Sequence, residues 1–178
     1  MLFQTTMKQA LICAGLLASQ AAADCYDSET PKLMCYTAAN GTPQNVAVAD
    51  ITYIAGYLRN YGRKNPPGLW TMPAEAPSDF PNCDEWSVYV RRSALVVAKH
   101  IDPTVNSSIL FEDIATALDG GEKAPADAAA AAIIGCKTDG GAKGYYNATN
   151  PAYKTLAYNQ TYATPAGILI KVVAAPTV

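Results

Sequence analysis

Two hydrophobic periods alternate along this chain, and the first of them is helical. Between Thr42 and Gly62, apolar side chains recur every three or four residues, which is the spacing of one buried helical face. Thr42 is suited to cap this helix, Pro43 to occupy its first position and Gly62 to end it in a left-handed conformation. Arg59 and Asn60 then fall on the exposed face. The predicted buried face comprises Ala47, Ile51, Ile54, Leu58 and Tyr61.

The second period is that of β-strands. Apolar and polar residues alternate from Trp86 to Arg91, which predicts a strand with a basic outer face at Arg91 and Arg92. The apolar run Ala94–Ala98 extends this strand or forms another, and periodicity alone also allows a helix over Trp86–His100. Further short apolar runs predict strands at Lys32–Thr37, Leu69–Met72, Ile133–Lys137 and Ile168–Val173.

A second, shorter helix is predicted before the paired glycines Gly120-Gly121, which are suited to stop it. Asn106 or Ser107 is placed to cap its start, and the acidic side chains of Glu112 and Asp113 complement the dipole of its first turn. Its predicted buried face comprises Leu110, Ile114, Ala117 and Leu118.

The predicted elements follow the order strand, helix, two strands, helix, strands. A proline-rich loop over residues 63–82 and an alanine-rich connection over residues 124–132 lie between them. Helices packed on one face of a mainly antiparallel sheet suit this order. We therefore expect an α+β fold with two helices on one face of the sheet.

The N-terminal segment has the pattern of a secretory signal peptide. Lys8 provides a short positive region, the apolar run Ala10–Ala18 follows it, and Ala21–Ala23 supply the small residues of a cleavage site. The apolar run is too short to span a bilayer. We expect residues 1–23 to be the signal peptide and residues 24–178 to form one secreted, extracellular domain.

The cysteines agree with secretion. Cys13 lies in the predicted signal peptide, so Cys25, Cys35, Cys83 and Cys136 remain. An even number of cysteines in an oxidising compartment predicts two disulfides, and three pairings are open. No pair has the Cys-x-x-Cys spacing of structural zinc sites, so we predict no metal site.

Four Asn-x-Ser/Thr triplets are predicted glycosylation sites of a secreted glycoprotein. Pro43 follows the acceptor threonine of the first triplet, which makes that triplet a poor substrate. The alternative for each is an ordinary turn asparagine. The four acceptors are Asn40, Asn106, Asn147 and Asn159.

Composition narrows the class of protein. The chain has 178 residues, of which 50% are hydrophobic and 16% charged, with a net charge of −2. This hydrophobic share is that of a folded chain and not of a disordered one. The charge lacks the basic excess with which nucleic-acid binders neutralise phosphates. We predict a monomer without cofactors, nucleic-acid partners or a membrane span.

His100 is the only histidine in the sequence, so it is the only candidate for catalysis by a histidine side chain. The simpler interpretation of His100 is a turn residue with a hydrogen bond to the backbone. The alternative is a small secreted ribonuclease with a glutamate as base, His100 as acid and Arg91 or Arg92 as phosphate clamp. Neighbouring Glu112 and Asp113 point roughly 100° apart on a helix, so they do not form a facing carboxylate pair.

Tyrosines are concentrated near the C-terminus. Planar amphipathic rings on a sheet can bind a sugar or a partner protein, but they also form ordinary cross-strand pairs. Both interpretations stay open at this point. The five tyrosines of this candidate binding surface are Tyr145, Tyr146, Tyr153, Tyr158 and Tyr162.

A family resemblance follows from the signal peptide, the four mature cysteines, the early amphipathic helix and three short segments. These segments are Cys83-Asp84-Glu85-Trp86-Ser87-Val88, Glu112-Asp113-Ile114-Ala115 and Ile134-Gly135-Cys136. Over about residues 25–137 the chain resembles the extracellular protein two family, secreted necrosis-inducing effectors of plant-associated fungi with killer-toxin-like relatives. It departs from the family pattern in the early position of Cys35 and in an alanine-rich run before Cys136.

The resemblance implies a non-enzymatic role at a host or competitor cell surface, and it brings no catalytic residues with it. We therefore expect a secreted, disulfide-stabilised effector or toxin-like binding protein whose partner is a cell-surface protein or glycan. A small secreted hydrolase such as a ribonuclease is the alternative, and a structural cell-wall protein is the third.

Overall fold

The structure is a computed structural model and describes residues 29–74 and 85–176. Residues 1–28, which include the predicted signal peptide and Cys25, lie outside the described residues. So do residues 75–84, which include Cys83 and the second part of the predicted proline-rich loop. No helix in the described part of the chain is long and apolar enough to cross a membrane.

The described elements confirm an α+β fold. The strands are β1 (Met34–Cys35), β2 (Leu69–Met72), β3 (Trp86–Arg91), β4 (Ala94–His100), β5 (Ser107–Leu110), β6 (Gly141–Lys143) and β7 (Ile168–Ala174). The α-helices are α1 (Val48–Lys64), α2 (Phe111–Asp119), α3 (Ala126–Ala130) and α4 (Leu156–Asn159). The 3₁₀ segments are Ile133–Asp139 and Pro151–Lys154.

The strands form two antiparallel sheets. The larger has the order β1-β6-β7-β4-β3, and the smaller pairs β2 with β5. Strand β4 pairs along its whole length with β7, from Ala94 opposite Ala174 to His100 opposite Ile168. Strand β4 forms a hairpin with β3, its neighbour in the sequence, on one side and pairs with the distant strand β7 on the other.

The core lies between the large sheet and the helix pair α1 and α2, which pack against each other. Ile51, Ile54 and Leu58 of α1 are buried as the sequence predicted. They join one cluster with side chains of α2, β4 and β7, among them Ile114 and Ile170. Each fully buried aliphatic side chain contributes about 1.5–3 kcal/mol, so this face accounts for the position of α1.

Both predicted ends of α1 are wrong. Thr42 and Pro43 precede the helix in backbone without regular secondary structure, because Gln44 and Val46 donate backbone hydrogen bonds to the 3₁₀ segment Ile133–Asp139. Gly62 lies inside the helix, which ends at Lys64 because a residue that precedes proline, here Asn65, disfavours helical geometry. Two members of the predicted buried face, Ala47 and Tyr61, are exposed.

Helix α2 is confirmed, but its predicted cap is wrong. Ser107 and Leu110 belong to β5, and the helix follows this strand directly, without a side-chain cap. Gly120 ends α2 in the left-handed conformation, as predicted, with φ of 86°. The predicted strand at Ile133–Lys137 is a 3₁₀ segment instead.

One disulfide joins Cys35 at the edge of the large sheet to Cys136 in the 3₁₀ segment. It connects residues 101 positions apart in the sequence, and closing a loop of that length stabilises a fold by about 4–5 kcal/mol in the chain-entropy model. The bond also holds the 3₁₀ segment beside β1.

Candidate functional site

Three tyrosines form a row along one exposed edge of α1. Tyr53, Tyr57 and Tyr61 are four residues apart, so each lies about 6 Å further along the helix on nearly the same side. They are 45%, 37% and 41% exposed. A contiguous exposed aromatic surface marks an interaction site more often than scattered apolar residues do. We call these residues the tyrosine row.

Aromatic rings from three other elements support the tyrosine row. The ring centroid of Tyr89 in β3 lies 4.2 Å from that of Tyr57. Phe111, the first residue of α2, meets Tyr61 edge to face at 5.0 Å, and Trp70 of β2 meets Phe111 at 6.2 Å. Such pairs contribute about 0.5–1.5 kcal/mol each beyond their buried area. The row is therefore held in place before any ligand arrives.

Arg91 extends the row at its first tyrosine, where its guanidinium carbon lies 4.2 Å from the ring centroid of Tyr53. The predicted outer position of Arg91 is wrong, because a β-bulge between Ser87 and Tyr89 shifts the alternation of β3. Arg91 consequently faces α1, while Val90 is exposed.

A hollow lies on each side of the tyrosine row. The inner hollow, between the row and the rings of Trp70 and Phe111, has a volume of about 240 Å³. The outer trough is a shallow, open depression that runs along α1 over Thr52, Gly56 and Asn60 and has a volume of about 370 Å³. The tyrosine row is thus a ridge that a ligand can contact from both sides.

Trp70 adds a polar feature to the inner hollow. Its indole N–H is enclosed and has no hydrogen-bond partner within the described ranges. An enclosed donor without a partner costs about 1–3 kcal/mol, and such groups are rare enough in native proteins to need an explanation.

Two cations beside the tyrosine row, Arg59 and Arg63, are compensated by carboxylates. Arg63 bonds to Glu122 at 2.7 Å and to Glu112 at 3.0 Å, and these bonds raise the pKa of the Arg63 guanidinium above its ordinary value. The hydrogen bond from Arg63 also lowers the pKa of Glu122. On the buried side, Arg59 pairs with Asp119 at 2.8 Å. The charges of Arg59 and Arg63 are therefore balanced, whereas Arg91 at the Tyr53 end of the row forms no ion pair within the described residues.

The structure does not bring the five tyrosines of the predicted binding surface together. Tyr153 and Tyr158 are buried, with 8% and 5% exposure, and their rings pack edge to face at 5.0 Å. The Tyr153 hydroxyl donates to Asp113 at 2.6 Å, while the Tyr158 hydroxyl donates to the carbonyl of Ser108 at 2.8 Å. Burial raises the pKa of Asp113 and brings that of Tyr158 to about 12. These two tyrosines fasten the C-terminal segment to the core.

The other three predicted tyrosines are separate from one another or only partly exposed. Tyr145 and Tyr146 line a cleft of about 340 Å³ together with Pro31 and Gly167. Tyr162 stands alone with 89% exposure. None of the five lies in a strand, so cross-strand pairing is also wrong.

His100 is buried at the end of β4, where its Nε2 atom lies 3.2 Å from the carbonyl oxygen of Met72. Arg91 pairs with Ala94 at the other end of the hairpin. At roughly 3.4 Å per residue, the two side chains are separated by about 20 Å along the strands. Arg92 follows in the turn, so the structure does not bring the three predicted ribonuclease residues together.

Charged side chains also cluster on the face of the large sheet opposite the helices. Glu29 accepts hydrogen bonds from Lys99 at 2.5 Å and from Lys171 at 3.1 Å, and Lys171 also bonds to Glu85 at 2.6 Å. Burial alone would raise the pKa of Glu29, but the hydrogen bonds from the two lysines outweigh it and lower that pKa. Burial raises the pKa of nearby Tyr36 to about 12. The charges balance, which indicates a structural network.

The predicted glycan acceptors Asn40, Asn106, Asn147 and Asn159 are all exposed. None of them lies on α1. Glycans at these four positions would therefore not be attached to the helix that carries the tyrosine row.

Within residues 29–74 and 85–176, no group of three or more His, Cys, Asp or Glu side chains is arranged to hold a metal ion. No protein-family profile, curated protein or solved structure matches the chain.

Sequence reasoning missed the tyrosine row because it sought aromatic density and found it near the C-terminus. A signal was present, since Tyr53, Tyr57 and Tyr61 repeat every four residues inside the predicted first helix. Assigning Tyr61 to the buried face hid this repeat.

Proposed function

We propose that this protein is a secreted, disulfide-stabilised binding protein that acts at a host or competitor cell surface, without catalysis. The observation that carries the proposal is the tyrosine row, exposed and supported from behind by Tyr89 and Phe111. Tyrosine, tryptophan and arginine are the side chains that dominate binding surfaces, and all three meet here. The resemblance to secreted effectors is consistent with this role.

The non-catalytic part of the proposal has support from the position of His100. A general acid must reach the proton that it transfers, whereas this imidazole is enclosed and lies about 20 Å along the hairpin from Arg91. The residues that a ribonuclease would use therefore occupy different parts of the fold.

The secreted part of the proposal depends on the signal-peptide pattern and on the cysteines. The bond between Cys35 and Cys136 leaves Cys25 and Cys83 as the remaining mature cysteines. We infer a second disulfide between these two, since an unpaired thiol does not persist in an oxidising compartment.

The test measures binding of the purified, fluorescently labelled protein to plant, fungal and bacterial cell-wall preparations. We expect saturable binding to at least one preparation, and Tyr57→Ala should weaken it about tenfold or more, as truncation of a central aromatic residue does. The matched control is Tyr162→Ala, which removes a fully exposed tyrosine outside the row.

Thermal unfolding of each variant establishes that it is folded at the assay temperature. Binding to no preparation would refute the proposal, as would equal losses in the two tyrosine variants. RNA degradation by the wild-type protein that His100→Ala abolishes would favour the ribonuclease alternative instead.

A further inference from the structure

Gly56 occupies a position where the helix gains nothing from glycine. It lies in the middle of α1, and a Cβ atom added there would meet no heavy atom within 4 Å. Apart from proline, glycine is the least favourable residue in a helix interior, because it loses the most conformational freedom on folding. Neither a close packing contact nor a positive φ requires glycine here. The missing side chain instead opens the outer trough.

The outer trough and the tyrosine row run side by side along α1. Thr52, Gly56 and Asn60 follow one another at intervals of four residues, and each lies one position before a tyrosine of the row. Both lines therefore repeat about every 6 Å along the helix axis. An extended ligand would meet aromatic rings on one side and hydroxyl and amide groups on the other.

The chemistry of this surface points to an uncharged ligand. The outer trough is lined by Thr52, Tyr53, Gly56, Tyr57 and Asn60, and none of these side chains is charged at neutral pH. Arg91 lies over the ring of Tyr53 but is not among the residues that line the trough, so a phosphate or an acidic chain would find no cation within the trough itself. A neutral glycan has apolar ring faces for the tyrosines and hydroxyl edges for the polar side chains.

The exposed area of the row is enough for contact with one narrow ligand, whereas a protein partner would also need the surface around the row. A tyrosine side chain has roughly 200 Å² of surface. With exposures of 45%, 37% and 41%, the tyrosine row presents roughly 250 Å² in total. A stable protein interface uses about 800 Å² from each partner, with its aromatic residues at the centre. The row suits a single chain lying along the helix.

From these observations the structure assigns the outer trough of α1 as a binding site for one chain of a neutral polysaccharide. The sugar rings lie against the tyrosine row, and their hydroxyl groups bond to Thr52 and Asn60. This inference rests on the proposed function, and it names the ligand class for the same surface.

The test uses variants at Gly56 and titrates soluble neutral oligosaccharides of β-glucan, chitin, cellulose and xylan by calorimetry. Gly56→Ala and the larger Gly56→Gln fill the trough with good helix formers. Both should raise the melting temperature, by roughly 1–4 °C. Both should nevertheless weaken binding, Gly56→Ala about threefold and Gly56→Gln more than tenfold, because the added atoms occupy the place of the sugar.

The matched control is Gly41→Ala, where an added Cβ makes only ordinary contacts with Tyr36, the nearest at 3.6 Å. This variant should bind like the wild type. A Gly56→Gln variant that is more stable and still binds at full strength would overturn the trough as the site, since loss of folding could not explain the result.

A second outcome separates this inference from the proposed function. If no oligosaccharide binds, but the protein binds cell walls through Tyr57 and protease treatment of the walls removes that binding, the partner is a protein. The glycan inference is then wrong while the proposed function stands. If neither oligosaccharides nor cell walls are bound, both are wrong.

Discussion

Arg59 offers a sharp test of the packing between α1 and α2. The sequence predicts it on the exposed face, yet its side chain is 7% exposed and donates two hydrogen bonds to Asp119, at 2.8 Å and 3.1 Å. Asp119 in turn accepts a bond from the backbone of Gly121 at 2.8 Å. The ion pair therefore joins the middle of one helix to the end of the other.

Arg59→Ala should destabilise the protein by about 3 kcal/mol, because removal of one partner of a buried ion pair leaves the other charge uncompensated. For a domain of this size, that loss lowers the melting temperature by roughly 6–12 °C. Asn60→Ala is the matched control, since Asn60 is the exposed neighbour and its loss should cost less than about 0.5 kcal/mol. Leu58→Ala gives the scale of a core truncation, about 2–5 kcal/mol.

A double-mutant cycle isolates the charge interaction. Asp119→Asn retains an oxygen for the Gly121 backbone bond but removes the negative charge, and it is combined with Arg59→Met, which keeps most of the apolar stem. Unfolding in urea should give a coupling energy between the two sites of about 1.5 kcal/mol or more. A coupling energy near zero, or equal unfolding midpoints for Arg59→Ala and Asn60→Ala, would refute the reasoning.

Two further outcomes are expected. The folded pKa of Glu29 lies below its unfolded value of 4.5, so the carboxylate stabilises the fold above that pH and loses this effect as the pH falls through the folded pKa. Glu29→Gln should therefore be less stable than the wild type at pH 7. In urea melts from pH 7 to pH 2, the variant should lose less stability on acidification than the wild type does. Alkylation of the secreted, unreduced and denatured protein should label no cysteine, and label at Cys25 or Cys83 would contradict the second disulfide.

Local sequence determined most of the elements. The repeat of Ile51, Ile54 and Leu58 is enough to predict that α1 is a helix with these three side chains buried, because a helix brings residues three and four apart onto one side. Gly120 ends α2 as predicted because glycine adopts the left-handed conformation without the steric cost that a Cβ atom brings. Strands β2, β3, β4 and β7 follow in the same way from their runs of apolar and β-branched residues.

Tertiary contacts decided where elements begin and which side chains are free. Thr42 has the chemistry of a helix cap, but hydrogen bonds from Gln44 and Val46 to the distant 3₁₀ segment keep this part of the chain out of the helix. Arg59 is buried because Asp119 lies beside it, 60 positions later in the sequence. No local pattern contains that proximity.

The tyrosine row also depends partly on the local sequence and partly on tertiary contacts. The sequence determines that Tyr53, Tyr57 and Tyr61 share one edge of a helix, since the helical repeat alone places them there. Whether that edge is covered depends on the sheet and on α2, which contact the tyrosines from behind with Tyr89 and Phe111 and leave their outer surface exposed. Exposure is a property of the assembled surfaces and not of the residue, and for this reason only the tertiary structure could separate these tyrosines from the buried pair near the C-terminus.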